Sequence, residues 1–231
     1  MAILYNRETA LAWDFTEIRK VKPEVSLPVQ IRTVDHKAWH CAGFPIPKAL
    51  NQTVIEMLNN RVDKGMLEPC HGPYRNLWFL IKKKDGKYRL VNHAVEFNKM
   101  TIRDANLPPA VNSFSEKFTN YAVTSLIDFF SDYDQIKLDI KFRNITAFIT
   151  PIGLFRQTIF PQRITNSITQ FVRIVIKILQ KYIPRVYLLF INNIGVKGPR
   201  TTYNNEKATP DIRRYMLEHI MWLDSVLADL E

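Results

Sequence analysis

One acidic residue, Asp128, stands where a side chain can do chemistry. It comes near the end of an apolar run, from Tyr121 to Phe129, that is predicted to form a buried strand, so the chain delivers a carboxylate at the end of that strand. Carboxylate oxygens are ligands that Mg²⁺ prefers. An acid before a turn can also be a purely structural turn residue. Both interpretations remain open from this run alone.

Two cysteines, each next to a histidine, could also hold a metal. His40-Cys41 and Cys70-His71 together offer four zinc ligands. The two pairs lie far apart in sequence, and neither has the CxxC spacing of common zinc sites. We therefore do not expect a zinc site.

A run of basic residues surrounds a predicted hairpin. Asp85-Gly86 separates the apolar run 77–81 from the run 88–91, and such a dipeptide between two apolar runs favours a β-hairpin. Lysines beside a turn are commonly just solvated. The whole chain, however, has 32 Lys and Arg against 22 Asp and Glu, a net charge of +10, which favours a nucleic-acid partner.

Composition excludes several classes of protein. The 231 residues include only 2 cysteines, so this is not a small disulfide-stapled scaffold. Hydrophobic residues make up 46%, and no apolar run approaches the 18 or so residues that a membrane helix needs. The N-terminus lacks the pattern of a signal peptide. We expect an intracellular protein without a membrane partner, in either cytoplasm or nucleus.

The order of predicted elements is typical of an α+β fold. Residues 1–46 form an extended, proline-containing lead-in, and 47–231 form the main domain. Within that domain the first half is predicted to contain a helix from Pro47 to a glycine cap at Gly65, the basic hairpin and the strand ending in Asp128. The second half is predicted to contain a hairpin around 151–153, a helix from Asn166 to Tyr182, and strands 186–191 and 194–196 around an Asn192-Asn193 turn. A last helix is predicted to be capped by Thr209, with Pro210 in its first turn.

Several of these segments together resemble the reverse transcriptase of gypsy-type LTR retrotransposon polyproteins, particularly the fungal branch. The resemblance covers about residues 45–231, with the same order and spacing. The matching segments are Ile81-Lys-Lys-Lys-Asp-Gly-Lys-Tyr-Arg-Leu-Val, Ser125-Leu-Ile-Asp-Phe-Phe-Ser-Asp-Tyr-Asp-Gln-Ile, Thr146-Ala-Phe-Ile-Thr-Pro-Ile-Gly-Leu, Phe160-Pro-Gln-Arg-Ile-Thr-Asn-Ser and Phe190-Ile-Asn-Asn-Ile-Gly-Val-Lys-Gly.

This resemblance implies a right-hand polymerase fold, with an antiparallel palm sheet backed by helices. Residues 47–120 would be mainly fingers and 121–231 mainly palm. The family continues into a thumb, a connection and an RNase H domain, whereas this sequence stops at Glu231. The implied partners are an RNA template or RNA–DNA hybrid and a dNTP.

The resemblance also implies a metal site with two Mg²⁺ ions. In the family, one acid ends the first palm strand, and two adjacent acids stand at the tip of a neighbouring hairpin. Asp128 matches the first acid, but the adjacent pair is Asn192 and Asn193. Asparagine has the shape of aspartate without its charge, so we expect polymerisation to be absent or severely impaired.

Other positions match the family's nucleotide-binding residues. Lys83 and Arg89 correspond to finger residues that hold the triphosphate, and Phe129 would offer a backbone carbonyl to the metal. Tyr133 resembles the aromatic gate that excludes a ribose 2′-hydroxyl, and Gln162 the glutamine beside the nucleotide sugar. The glycine that normally follows this glutamine is Arg163 here, which is expected to crowd the site.

The departures from the family share a mutational pattern. Asp to Asn and Gly to Arg can each arise from one G-to-A transition, and the chain has only 7 glycines. One hypothesis is therefore a decayed, inactive retroelement copy. A second is an active polymerase that uses Asp132 or Asp134 as substitute ligands. A third is a domesticated binding or interaction module that keeps the fold without catalysis.

Overall fold

The computed structural model describes residues 5–14, 17–105, 115–183 and 185–231. The chain divides into two compact units, each assembled from separated stretches of sequence. Unit 1 comprises residues 1–19, 105–132 and 168–231, and unit 2 comprises residues 20–104 and 133–167. No helix within the described ranges is long and apolar enough to cross a membrane.

The helices and strands that lie wholly within the described ranges have the following bounds. The helices are α1 (Asn51–Asp63), α2 (Val95–Met100), α3 (Ile140–Arg143), α4 (Ser167–Leu179) and α5 (Arg214–Leu230). The strands are β1 (Leu67–Pro69), β2 (Leu77–Lys82), β3 (Tyr88–His93), β4 (Thr124–Asp128), β5 (Phe148–Thr150), β6 (Gly153–Gln157), β7 (Tyr187–Phe190), β8 (Asn193–Lys197), β9 (Lys207–Thr209) and β10 (Ile212–Arg213).

Unit 2 is built around one apolar cluster beneath helix α1. Val54 and Leu58, four residues apart on α1, are both fully buried, as their helical spacing predicts. They pack with strand residues from β1–β3, β5 and β6, and Trp78 donates from its indole Nε1 to the Ile149 carbonyl at 2.6 Å. The predicted cap is confirmed, because Gly65 adopts φ +62 just after the helix.

Unit 1 contains an antiparallel sheet in the order β4-β8-β7. Asp128 is the last residue of β4, and it pairs with Asn193, the first residue of β8. Apolar residues of α4, α5 and the sheet are buried together, among them Phe171, Leu179, Tyr187, Ile194, Val196 and Val226. The antiparallel, mixed helix-and-strand fold expected from the sequence is therefore confirmed.

Two predicted boundaries were wrong. The turn between β7 and β8 is Ile191-Asn192 rather than Asn192-Asn193, because Asn193 already pairs with Phe190. Thr209 and Pro210 do not begin a helix; Thr209 ends β9, which pairs with β10, and α5 begins at Arg214. A Pro-Asp pair suits a turn as well as a helix start, so this sequence signal was ambiguous.

The lead-in is divided between the two units: residues 1–19 belong to unit 1, and residues 20–46 follow an extended course within unit 2. Val29 forms a bridge to Leu138, Thr33 to Thr101, and His40 to Arg75. Val29 and Ile31 are buried. These residues therefore form part of the fold of unit 2.

Candidate catalytic and nucleotide site

In unit 1 the three residues at the ends of β4 and β8 form a cluster, which we call the acid tip: Asp128, Asn192 and Asn193. Asp128 is exposed, and Asn192 and Asn193 are partly exposed. The Asn192 Nδ2 donates to the Asp128 Oδ1 at 3.3 Å, and the Asn193 Nδ2 donates to the Asn192 Oδ1 at 3.4 Å. The structure therefore brings together the three positions that the sequence matched to the catalytic acids.

The backbone holds this tip in a defined shape. The Phe129 N–H donates to the Asn192 carbonyl at 3.3 Å, which extends the β4–β8 pairing into the turn. The Phe129 ring packs edge-on against Phe171 of α4, with ring centroids 5.3 Å apart. Ile191 in the turn has φ +56, which is a costly conformation for a β-branched residue. Such strain persists only where the surrounding structure imposes it.

The acid tip does not fit a pair of divalent ions. Asp128 supplies one negative charge, and each asparagine supplies none. If an amide turned over, it would present a neutral carbonyl oxygen, so the charge of the tip would not change. In the described ranges no group of three or more His, Cys, Asp or Glu side chains could hold a metal ion. Two ions beside a triphosphate require more negative charge than this cluster offers.

Two contacts behind and over the sheet support strand β4 and its partner β8. Ser125 Oγ lies 2.7 Å from Nε2 of His219, a residue of α5 that is only 2% exposed. Burial lowers the pKa of this imidazole. On β8, Gly195 lies directly under the Phe118 ring, so closely that a Cβ would overlap it. The sheet that carries Asp128 is therefore fixed by tertiary packing.

The second group of matched residues lies in unit 2. The Arg89 Nη2 donates to the Gln162 Oε1 at 2.6 Å, across 73 residues of sequence. Gln162 also lines a recess with Asn76, Asn92, His93 and Phe97, among others. Lys83 opens the hairpin loop, where its N–H donates to the Lys87 carbonyl at 2.7 Å and Gly86 adopts φ +82. The structure therefore joins Arg89 to Gln162 and places Lys83 in the exposed loop of the same hairpin.

Arg163, next to Gln162, has an unfavourable backbone conformation for its residue type. Its φ is +66, in the left-handed region where glycine is at ease and other L-residues pay a steric cost. Its side chain is exposed, and its carbonyl accepts from the Asn98 Nδ2 at 3.2 Å. A glycine, which the resemblance leads us to expect at this position, would adopt this conformation without that steric cost.

Tyr133 and the two nearby acids lie on a short 3-10 turn, Asp132–Gln135. Tyr133 is 9% exposed, Asp132 7% and Asp134 6%. Burial lowers the pKa of both Lys20 and Arg61, and the negative charge of Asp134 opposes that lowering in each. Lys20 also donates to the Asp134 backbone carbonyl at 2.7 Å. Asp134 is therefore a buried acid facing cations, which is a poor metal ligand.

Sequence reasoning missed the contacts that support the acid tip. Ser125 and His219 are 94 residues apart, and nothing in either local pattern indicates the pairing. The sequence contains one signal for the Phe118–Gly195 contact. Gly195 lies inside a strand, and a glycine there can indicate that another group approaches the backbone closely.

Comparison with known sequences shows that this chain is similar to a segment of Pol polyproteins. It is 25% identical over 178 residues to the retrovirus-related Pol polyprotein from transposon opus of Drosophila melanogaster, covering 75% of this chain and 18% of that polyprotein. The Pol polyprotein from transposon 412 of the same fly is 23% identical over 175 residues, covering 73% and 14%. The chain therefore spans less than a fifth of these relatives. No protein-family model matches the sequence.

Solved structures show the same fold. A crystal structure of prototype foamy virus protease-reverse transcriptase matches 99% of this chain and 28% of that protein, with a TM-score of 0.79 and 18% identity. The foamy viral enzyme in complex with RNA/DNA hybrid matches 99% of this chain and 29% of that one, with a TM-score of 0.77 and 16% identity. This chain is homologous to a segment of retroviral and retrotransposon Pol polyproteins, and its fold is that of a reverse transcriptase.

Proposed function

We propose that this chain is the fingers and palm of a gypsy-type, fungal-like retrotransposon reverse transcriptase whose polymerase chemistry is disabled. Residues 47–120 are mainly fingers and 121–231 mainly palm. The order and spacing of the five matching segments support this assignment, together with the homology to Pol polyproteins. The protein would act inside the cell, without a membrane partner.

One observation carries the proposed loss of activity. At the acid tip Asp128 pairs with Asn193 and accepts a hydrogen bond from Asn192, so there is one carboxylate where the resemblance implies three. Charge stabilisation by bound metal contributes several kcal/mol to such reactions, and each 1.4 kcal/mol is about tenfold in rate. Losing two carboxylates should therefore lower the rate by at least about a thousandfold. Mg²⁺ binding through Asp128 alone would be weak.

The binding functions of the family have better support in this chain. Lys83, Arg89 and Gln162 keep the residue types that hold the incoming dNTP, and Arg89 and Gln162 are already bonded to each other. Phe129 and Tyr133 keep their types as well. The proposed partners are an RNA template or RNA–DNA hybrid, with a dNTP in the nucleotide site.

A domesticated nucleic-acid-binding or interaction module is the second candidate function. The observation that favours it is the intact packing around an acid tip that has a single carboxylate: the Ser125–His219 bond and the Phe118–Gly195 contact are both present. Such a module would need the fold and not the metal.

Mg²⁺-dependent primer extension on an RNA template tests the proposal. The natural chain is compared with the double variant Asn192→Asp and Asn193→Asp, and with that variant carrying Asp128→Asn as a matched control. We expect extension only by the double variant, because it alone has all three carboxylates. Extension by the natural chain at a similar rate would contradict the proposed inactivity. If no variant extends primer but all bind hybrid, the binding-module function is favoured.

A further inference from the structure

The excess of positive over negative charge in this protein comes from one segment of sequence. Residues 140–205 contain ten Lys and Arg and no Asp or Glu. The rest of the chain has 22 basic and 22 acidic residues, so the entire net charge of +10 comes from this segment. A charge separated in this way creates a local field that attracts polyanions.

Part of this segment places cations at regular intervals on unit 1. Arg173, Lys177, Lys181 and Arg185 recur every fourth residue, and all four are exposed. We call them the basic stripe. The first two lie on α4, where four residues advance about 6 Å along the axis and return to nearly the same face. Lys181 lies in the 3-10 turn Gln180–Tyr182 and Arg185 follows that turn, so the helical face is shared only by Arg173 and Lys177 within the stripe.

The opposite side of α4 is not available to a ligand. Phe171, Val172, Val175 and Leu179 are between 0% and 6% exposed, in the core of unit 1. A helix that binds at a lipid surface inserts its apolar face. Because this face is buried, contact through the basic stripe would have to be electrostatic.

Aromatic and acidic neighbours from the same unit hold two stripe residues in place. The Arg185 guanidinium lies over the Trp222 ring, 4.9 Å from its centroid. Lys181 is 2.8 Å from an Asp229 oxygen, yet 61% of its side chain remains exposed. A stacked guanidinium loses less conformational freedom when it binds a phosphate than a free one does.

We propose that the basic stripe is a second binding surface, separate from the proposed nucleotide site, for the phosphate backbone of a nucleic-acid strand. The choice of a nucleic acid as the partner rests on the proposed function. Four exposed cations close together in sequence, two of them one turn apart on α4, suit a repeating anion, and phosphate contacts position a strand without reading its bases. RNA and DNA share this chemistry, so the stripe should bind either.

The test is fluorescence anisotropy with a labelled single-stranded RNA and a DNA of the same sequence, using the full chain. The double variant Arg173→Gln and Lys177→Gln removes two stripe charges and keeps good helix formers. Its matched control, Lys117→Gln and Lys207→Gln, removes two exposed charges of unit 1 outside the acid-free segment. Thermal unfolding of each variant checks that the fold is retained.

We expect the stripe variant to bind both strands about tenfold more weakly at about 0.1 M salt. The slope of log affinity against log salt should fall by about 1.4, since each single-strand phosphate contact contributes about 0.7. The control should change affinity less than about twofold, because exposed charges away from the strand act only through a screened field. Equal losses in the two variants would overturn the proposal, since net charge alone would then explain binding.

A third variant, Lys83→Gln with Arg89→Gln, separates this inference from the proposed function. If it abolishes binding while the stripe variant binds like the natural chain, the second surface is refuted and the proposed function stands. If polyglutamate competes as strongly as RNA for the stripe, the surface is a protein-docking site and the proposal is wrong. Failure of the proposed function would be seen separately, as absence of both primer extension and hybrid binding by the variant with Asn192→Asp and Asn193→Asp.

Discussion

The acid tip and the Arg89–Gln162 pair respond differently to the substitutions they carry. At the acid tip, the proposed family match puts Asn192 and Asn193 in place of acids of the same shape, and β4 and β8 pair regularly up to Asp128. Beside Gln162, the same proposed match puts a bulky arginine in place of a glycine, and the backbone of Arg163 adopts a conformation that favours glycine, with φ +66. On this match, the acid tip has less negative charge, and the two asparagines add no strain. Arg163 has an unfavourable backbone conformation, but its neighbour Gln162 keeps the hydrogen bond to Arg89.

The comparison shows that tertiary packing fixes the geometry of a site and does not fix the charge of its side chains. Contacts with Phe118, His219 and Phe171 position the acid tip. None of these contacts involves the side chains of the acid tip, so they do not depend on its charge. Chemistry can therefore disappear from a site whose geometry survives. The reverse holds at Arg163, where an unfavourable residue is tolerated because the surrounding structure fixes the backbone.

Gly195→Val should have the largest effect on stability among the following changes. Its side chain would overlap the Phe118 ring, which must then leave the sheet. We expect a loss of about 2–3 kcal/mol in the free energy of unfolding, measured by urea denaturation. Gly43→Ala is the matched control, because nothing lies within 4 Å of its Cβ position. Similar small losses in both variants would show that packing does not fix the acid tip.

The His219–Ser125 contact should make stability depend on pH. Burial lowers the pKa of His219 below its ordinary value of about 6.5, so the folded state holds the neutral imidazole. The unfolded state binds the proton first as pH falls, so stability is full above about pH 6.5 and declines below it. One proton limits the slope to about 1.4 kcal/mol per pH unit.

The measurement is the free energy of unfolding between about pH 7 and 5 for the natural chain and for His219→Gln. Glutamine can still bond Ser125 and does not titrate, so its profile should be flatter. Parallel profiles for the two proteins would contradict the assignment of a neutral, buried His219.

Arg163→Gly should give the smallest effect and the opposite sign. Glycine relieves the left-handed conformation but adds freedom to the unfolded chain, so we expect a net gain of about 0.5–1 kcal/mol in urea denaturation. Arg163→Ala, which keeps a Cβ, should change stability little. If alanine stabilises as much as glycine, the arginine side chain and not the backbone is the source of strain.

Local sequence patterns predicted most of the fold. The spacing of Val54 and Leu58 predicted α1, and the Asp85-Gly86 pair predicted the β2–β3 hairpin. Errors fell where one signal serves two structures, as with Thr209-Pro210, which ends a strand and opens a turn. The predicted position of the β7–β8 turn was wrong by one residue. The Asn-Asn pair is a favourable turn sequence, whereas an isoleucine is not expected at the positive φ that Ile191 adopts.

The residues of the candidate site could be predicted from the sequence, but the contacts that hold them in place could not. The acid tip followed from matching motifs, which record the chemistry of a family. Contacts such as Ser125–His219 join residues 94 positions apart, and they exist only once both elements have packed. Periodicity within one element contains no information about such a partner.

Direct measurement of metal binding tests the central claim, that two missing carboxylates disable this site. Mn²⁺ can stand in for Mg²⁺, and its affinity can be measured by electron paramagnetic resonance for the natural chain and for the variant with Asn192→Asp and Asn193→Asp. We expect binding by the variant at least about a hundredfold tighter, equivalent to about 2.7 kcal/mol, and lost again when Asp128→Asn is added. Equal Mn²⁺ affinity in the natural chain and the variant would contradict the claim.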